Sequence, residues 1–233
     1  MTGQAPDSDP DKERVETLPL FPLANVVLFP QLRVPLYIFE PRYRQMMEAA
    51  LAGNTQIGMV TVVPDQLDNM AGDPEIFAVG CAGQIESCSQ REDGTYDIAL
   101  AGVARFRIED ELERPQDQLF RRAKTTMLID DTTESDATEI GGLRAQVHER
   151  YGRLIARVAP QYLEQLESHS FSQVSDTVYA NTISVSLDID SIEKQSLLEA
   201  SSTLIRLERL VAVLDFKLAD PLPSGPGSSA SLQ

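Results

Sequence analysis

The chain has 233 residues, 42% of them hydrophobic and 24% charged, the mix of an ordinary soluble globular protein. Its 36 acidic and 20 basic side chains leave a formal net charge of −16, a field that repels phosphate backbones and anionic lipid surfaces. Non-specific nucleic-acid binding and membrane docking are thereby disfavoured, and a chain of this size needs no disulfide or metal staple.

The opening MTGQAPDSDPDKERVE lacks the basic start and apolar core of a signal peptide. No apolar run approaches the roughly 20 residues of a membrane-spanning helix. Residues 1–16 read instead as a disordered acidic tail. From Leu18 the pattern is one of short strands, with β-branched or aromatic runs bounded by Pro, Gly or Asn. They are expected at Leu32–Phe39, Gln56–Val63, Ile76–Ala82, Gln84–Ser89, Tyr96–Leu100, Ala104–Ile108 and Leu119–Ile129. Pro19, Pro22 and Pro30 suit an edge or a bend rather than a central strand. One helix interrupts the series: Pro41 opens it, Tyr43, Met46, Met47, Ala50 and Leu51 form its apolar stripe, and Gly53 ends it. Asp93-Gly94 predicts a hairpin turn. Cys81 and Cys88 are expected as small buried hydrophobes in strands of a reduced, cytoplasmic protein.

After Asp130 the period changes from two to about 3.6. Ile140, Leu143, Val147, Tyr151, Leu154 and Val158 predict a helix that Pro160 stops. A segment near Val174–Val185 gives a weaker signal. Asp190 and Glu193 make a capping box for a long helix with Leu197, Leu198, Leu204, Ile205, Val211 and Leu214 inward. That helix has enough apolar positions to pack within a bundle or against a second copy, a homodimer. Residues 219–233 form a flexible Pro/Gly/Ser tail. The expected architecture is therefore α+β: a β-rich part over 17–130 with one inserted helix, then a helical part over 131–218.

The motifs of common enzymes are missing. The sequence has no phosphate-binding Gly-x-x-x-x-Gly-Lys loop, no Gly-x-Gly-x-x-Gly and no Gly-x-Ser-x-Gly. Its two histidines, His148 and His169, lie in no metal-binding pattern, and His148 reads as a surface residue beside Glu149. Glu109-Asp110-Glu111 and Asp130-Asp131 read as solvated loops rather than a carboxylate pair or calcium loop. Ser191 and Lys194 sit where serine serves to cap a helix rather than in a nucleophilic dyad. No catalytic residue, metal ligand or cofactor site is assigned.

The segment Leu18-Pro-Leu-Phe-Pro-Leu, followed by Val27-Leu28-Phe29-Pro30 and then Ile38-Phe39-Glu40-Pro41-Arg42-Tyr43, resembles the N-terminal substrate-binding domain of the ATP-dependent Lon proteases. Weaker similarities are Val79-Gly80-Cys81-Ala82, the Gly102-Val-Ala-Arg-Phe106 strand and Lys194-Gln-Ser-Leu-Leu-Glu199. Together they cover about residues 17–218. The resemblance implies a free-standing Lon N-terminal-domain protein, a PUA-like β-barrel joined to a helical bundle. It implies a non-catalytic module associated with proteolysis or protein quality control, binding unfolded or extended polypeptide or a protease- or chaperone-type protein.

Phe21, Phe29 and Phe39 read most simply as barrel core, since aromatics fit a half-buried pleated surface. The sharper alternative puts some of them in an apolar groove for an extended segment, with Arg42 and Tyr43 beside it. Arg42 at a helix start needs a partner, which Glu40 can supply. The competing function is RNA binding through a basic strip of Arg105, Arg107, Arg121, Arg122 and Lys124, a use to which PUA-like barrels are also put.

Overall fold

The computed structural model describes residues 15–130, 136–166 and 173–219. The expected acidic tail before Val15, part of the acidic stretch after Asp130, His169 and the Pro/Gly/Ser tail lie outside these residues. Val15 and Glu16, assigned to the tail from sequence, already belong to the first strand.

The protein is a mixed α+β chain of two compact units, one comprising residues up to Asp130 together with Val185–Glu199, the other residues 131–184 and 200 onward. The first unit is built on six strands: β1 (Val15–Leu23), β2 (Arg33–Ile38), β3 (Gln56–Thr61), β4 (Val79–Gln90), β5 (Tyr96–Glu111) and β6 (Arg122–Leu128). Their order is β2-β5-β4-β3-β1-β6, and β5 also pairs with β6, so five of the strands close on themselves and β2 is added outside. Only β1 and β3 run parallel. Leu18, Leu20, Val60, Ala82, Phe106 and Ala123 fill the centre, with Ile76, Ile108 and Met127 against them.

The prolines of β1 turn out to lie in a strand with two neighbours rather than on an edge. The reason they are tolerated is that the two pairings use different residues: Val15–Pro19 lie opposite β6, and Leu20–Leu23 opposite β3. Each half keeps one side free for a residue without an N–H. β2 has β5 as its single neighbour and carries Pro35 opposite Ala99. A proline in a sheet is accommodated where its nitrogen faces away from the ladder, which on β2 is the outer edge.

Four of the short strands expected from sequence are two long ones. The run expected at Ile76–Ala82 begins its strand only at Val79 and joins Gln84–Ser89 through Gly83 as β4, while Ile76 makes an isolated bridge to Val62; Tyr96–Leu100 and Ala104–Ile108 join through Gly102 as β5. The glycines mark an irregularity rather than an end. Ala82 faces Ala104 but Gly83 faces Gly102, so Val103 bulges out. A Cβ on Gly102 would lie 2.1 Å from the Phe29 carbonyl oxygen, so only glycine lets the Phe29–Pro30 backbone rest there. The Asp93-Gly94 turn forms as expected, with Gly94 at φ 79° and Asp93 Oδ1 accepting from the Thr95 N–H and hydroxyl at 3.0 and 2.6 Å.

Helix α1 (Pro41–Ala52) buries Tyr43, Met46, Met47 and Ala50, while Leu51, expected on the same stripe, is exposed. Of the two cysteines, both expected in the interior, Cys81 is buried as expected and Cys88 is exposed.

The second unit contains α2 (Ala137–Val158), α3 (Leu163–Leu166), most of α4 (Asp176–Ser186) and α6 (Thr203–Ala219); α5 (Ser191–Leu198) belongs to the first. Of the expected α2 stripe only Ile140 and Val147 are fully buried, and Val158 is exposed. The single long helix expected after Asp190 is two. The capping box forms, with Asp190 Oδ1 accepting from the Glu193 N–H at 2.8 Å, but α5 stops at Leu198. Ser202 starts α6, its hydroxyl accepting from the Ile205 N–H at 3.2 Å, because serine caps a new helix better than it continues an old one. The inward face of α6 is Thr203, Arg206, Leu207, Leu210 and Leu214, so Leu204, Ile205 and Val211 lie off it.

Candidate functional site

The site residues expected from sequence separate into an interior group and a surface group. Phe21 and Phe29 lie in the interior, at 3% and 0% exposure, and offer no surface to a ligand. Tyr43 is also buried; its ring meets Phe21 edge-on at 4.5 Å, and its hydroxyl donates to the Pro22 carbonyl at 3.2 Å. Burial pushes the Tyr43 phenol up to about 12, against the opposing pull of Arg42.

Arg42 covers that ring. Its guanidinium lies 4.5 Å from the Tyr43 centroid and pairs with Glu40 at 2.9 Å, the partner expected for an arginine at a helix start. It also donates to Met70 O at 2.5 Å and Gly72 O at 3.1 Å, which ties the loop after the 3-10 turn Pro64–Asn69 to α1. Arg114 holds the same loop through Asp73, lowering that carboxyl by direct hydrogen bonding. Arg121 donates to Pro74 O at 2.6 Å. Gln45 secures the other flanking loop, donating to Asp117 O at 2.7 Å and accepting from the Leu119 N–H at 2.6 Å. Arg42 and Gln45 of α1, with Arg114 and Arg121 from the segment between β5 and β6, thus hold two loops in place.

Phe39 is the surface member. It is 58% exposed and stacks on Tyr37, itself 47% exposed, with ring centroids 5.8 Å apart. The Arg91 guanidinium lies 4.7 Å from the Tyr37 centroid and pairs with Asp97 at 2.6 Å. Tyr37 lies opposite Asp97, Pro35 opposite Ala99 and Arg33 opposite Ala101, so these residues share the outer face of β2 and β5. At its far end Arg33 pairs with Glu86 at 2.5 Å. The result is an apolar ridge of Pro35, Tyr37 and Phe39, framed by two ion pairs that cancel their own charge. β2 is the terminal strand, and among the described residues no backbone hydrogen bond joins its outer side to another element.

Tyr37 was not singled out from sequence, although a signal was present. In Arg33–Ile38 the alternation puts Val34, Leu36 and Ile38 inward, and Arg33 and Pro35 label the other face as solvent. An aromatic on that face is the informative one.

Of the basic strip expected for RNA binding, Arg105 is buried and paired with Asp130 at 2.5 Å, Arg121 is paired with Glu111 and Arg122 is half-buried, which leaves Arg107 and Lys124 as its exposed members. Nothing in the arrangement favours RNA. Among the described residues no group of three or more His, Cys, Asp or Glu side chains is placed to hold a metal ion, and no helix is long and apolar enough to cross a membrane.

These features define an α+β domain with a stacked, exposed aromatic pair on its edge strand β2. The family model of the ATP-dependent protease La (Lon) substrate-binding domain matches residues 17–215, and the chain belongs to that family. The matched family is the substrate-binding part of Lon rather than its catalytic part. The chain is 24% identical over 211 residues to the Lon protease of Buchnera aphidicola, covering 90% of this chain and 26% of that protein. It is 27% identical over 208 residues to the Lon protease of Escherichia coli K12, covering 88% of this chain and 25% of that protein. The chain thus spans about a quarter of the length of the curated relatives it matches. The solved N-terminal domain of Mycobacterium avium complex Lon protease has the same fold, at TM-score 0.65 and 17% identity over 86% of this chain and 98% of that one. A Lon N-terminal domain protein from Xanthomonas campestris superposes at TM-score 0.56 and 20% identity, over 84% of this chain and 98% of that one.

Proposed function

We propose that these 233 residues form a polypeptide-binding module that works without catalysis of its own, engaging unfolded or extended segments as part of protein quality control in the cytoplasm. On this reading residues 17–218 are one Lon N-terminal-like domain, its closed strands a PUA-like barrel and its later helices a bundle. The observation that carries it is the stacked Tyr37–Phe39 pair, held open to solvent on the free side of β2. Large exposed apolar side chains that touch one another mark interaction sites in soluble proteins. The framing ion pairs neutralise charge locally on an acidic protein, so the ridge attracts side chains by burial rather than by charge. Phe39 and Tyr37 are the contact residues, while Arg42 and Tyr43 position the loop beside α1.

The test is fluorescence anisotropy with a labelled, permanently unfolded protein and its native folded counterpart, at low and moderate salt. Micromolar binding of the unfolded form alone, persisting with salt and lost in Tyr37→Ser/Phe39→Ser, is the expected result. Equal binding by the double variant would overturn the assignment of the site. Absence of binding to either form would overturn general capture of unfolded protein.

A further inference from the structure

The chain passes between its two units three times, after Asp130, before Val185 and after Glu199. Within the strand-rich unit, all three of these points are held by one pair of neighbours. Arg105 of β5, whose side chain is 3% exposed, donates from Nε and Nη2 to Asp130 Oδ1 at 3.0 and 2.5 Å. From Nη1 it donates to the carbonyl of Leu198, the last residue of α5, at 3.2 Å. Lys194 of α5 donates to the Val185 carbonyl at 3.2 Å. Gln195 seats the helix, donating to Val79 O and Glu199 Oε1, each at 2.9 Å, and accepting from the Thr61 hydroxyl at 2.7 Å.

Helix α5 has eight residues, too few to persist alone. Its amino end is closed by the Asp190–Glu193 capping box. Its carboxyl end carries the partial negative charge of the helix, which the Arg105 guanidinium meets at the Leu198 carbonyl. Arg105 in turn is tolerated in the interior because Asp130 balances its charge, and removal of one partner of a buried pair leaves the other strongly unfavourable. An Arg105 that loses Asp130 must turn toward water and leave Leu198 O. The last turn of α5 then frays and takes the Lys194 contact with it.

We infer that Arg105 and α5 form a single anchor that holds the three points where the chain leaves the strand-rich unit, and that releases them together. Hydrogen exchange on the full chain tests this with Asp130→Asn, which removes the carboxylate charge and leaves the side-chain shape. The expected result is a rise of about tenfold in exchange over 195–199 and 185–188, with β1 and β3 at wild-type rates. Arg105→Lys keeps the charge, loses the fork and gives the same pattern more weakly. A rise confined to 126–130, no rise at all, or an equal rise in β1 and β3 would each overturn the anchor, the last by showing a global loss of stability instead.

Discussion

Each unit hides one tyrosine beneath an arginine, and the two arrangements correspond closely. In the strand-rich unit Arg42 lies 4.5 Å from the Tyr43 ring and reaches Glu40 and two loop carbonyls. In the helical unit Arg144 lies 4.5 Å from the Tyr179 ring and reaches Asp176 at 2.6 Å and the Val174 carbonyl at 3.0 Å. The interiors behind them differ. The phenol of Tyr43 bonds to backbone in front of an apolar core, whereas that of Tyr179 meets His148 Nδ1 at 3.4 Å in a unit whose buried residues include Asn181, Ser184, Thr203 and Arg206. The same lid thus closes two interiors of different balance: buried polar residues occur in both, but buried apolar residues outnumber them far more in the strand-rich unit, and the helical unit adds part-buried polar pairs such as Thr177 with Thr203 at 2.7 Å. Loss of volume should injure the first more, and loss of polar contacts the second.

The largest effect expected is that of Phe106→Ala. This ring is fully buried at the centre of the closed strands and packs over Gly58 and Gly80, which have no side chain to fill the gap. A loss of about 3–5 kcal/mol in urea unfolding is expected; a much smaller loss would erase the contrast in packing. Alkaline pH comes next and treats the units alike. Burial raises both Tyr43 and Tyr179 from the ordinary 10.0 to about 12. A raised phenol stabilises the folded state fully below its unfolded value and ceases to do so as pH climbs to the folded one. Stability should therefore fall between pH 10 and about 12, by on the order of 2 kcal/mol per phenol, with phenolate absorbance appearing late for these two tyrosines and, through burial, also delayed for Tyr96. If Tyr179 ionises near 10 while Tyr43 does not, the two lids are unequal.

Removing the lids sharpens the comparison. Arg144→Met and Arg42→Met each delete hydrogen bonds and a stacked cation, for about 1–2 kcal/mol. Hydrogen exchange should rise over 173–176 in the first and over 70–72 in the second, each leaving the other site unchanged. The smallest effect is a gain. Gly141 and Gly142 lie within α2 with open space where a Cβ would stand, so Gly141→Ala should stabilise the helical unit by about 0.5–1 kcal/mol and raise its melting temperature.

Much of this was readable in the residues. The capping box at Asp190, the Asp93-Gly94 turn, the proline-led helix α1 and the switch from strand to helix all follow from local chemistry. The places where local reading stopped short are those where a tertiary neighbour decides. Gly83 and Gly102 look like strand ends until Phe29 is seen resting on Gly102. The gap after Leu198 is invisible to periodicity, because apolar spacing continues across it while Ser202 starts a new helix. That α5 belongs with the strands rather than with the helices flanking it depends on Gln195 reaching Val79, a contact between residues 116 apart in sequence. Among the aromatics, composition alone could not separate Phe29 from Phe39; the tertiary neighbours did so, since Phe29 is buried with its backbone on Gly102 whereas Phe39 stands exposed just beyond β2, stacked on Tyr37.

Pro35 has one further consequence. An open strand edge is a template on which copies of a protein can stack without limit, and a bare aromatic pair beside it deepens that hazard. A ring nitrogen in the middle of the six-residue edge removes a rung from any such ladder, so an identical edge arriving in register finds the join interrupted. The edge that carries the uncovered Tyr37–Phe39 pair is thus itself a poor template for its own copies.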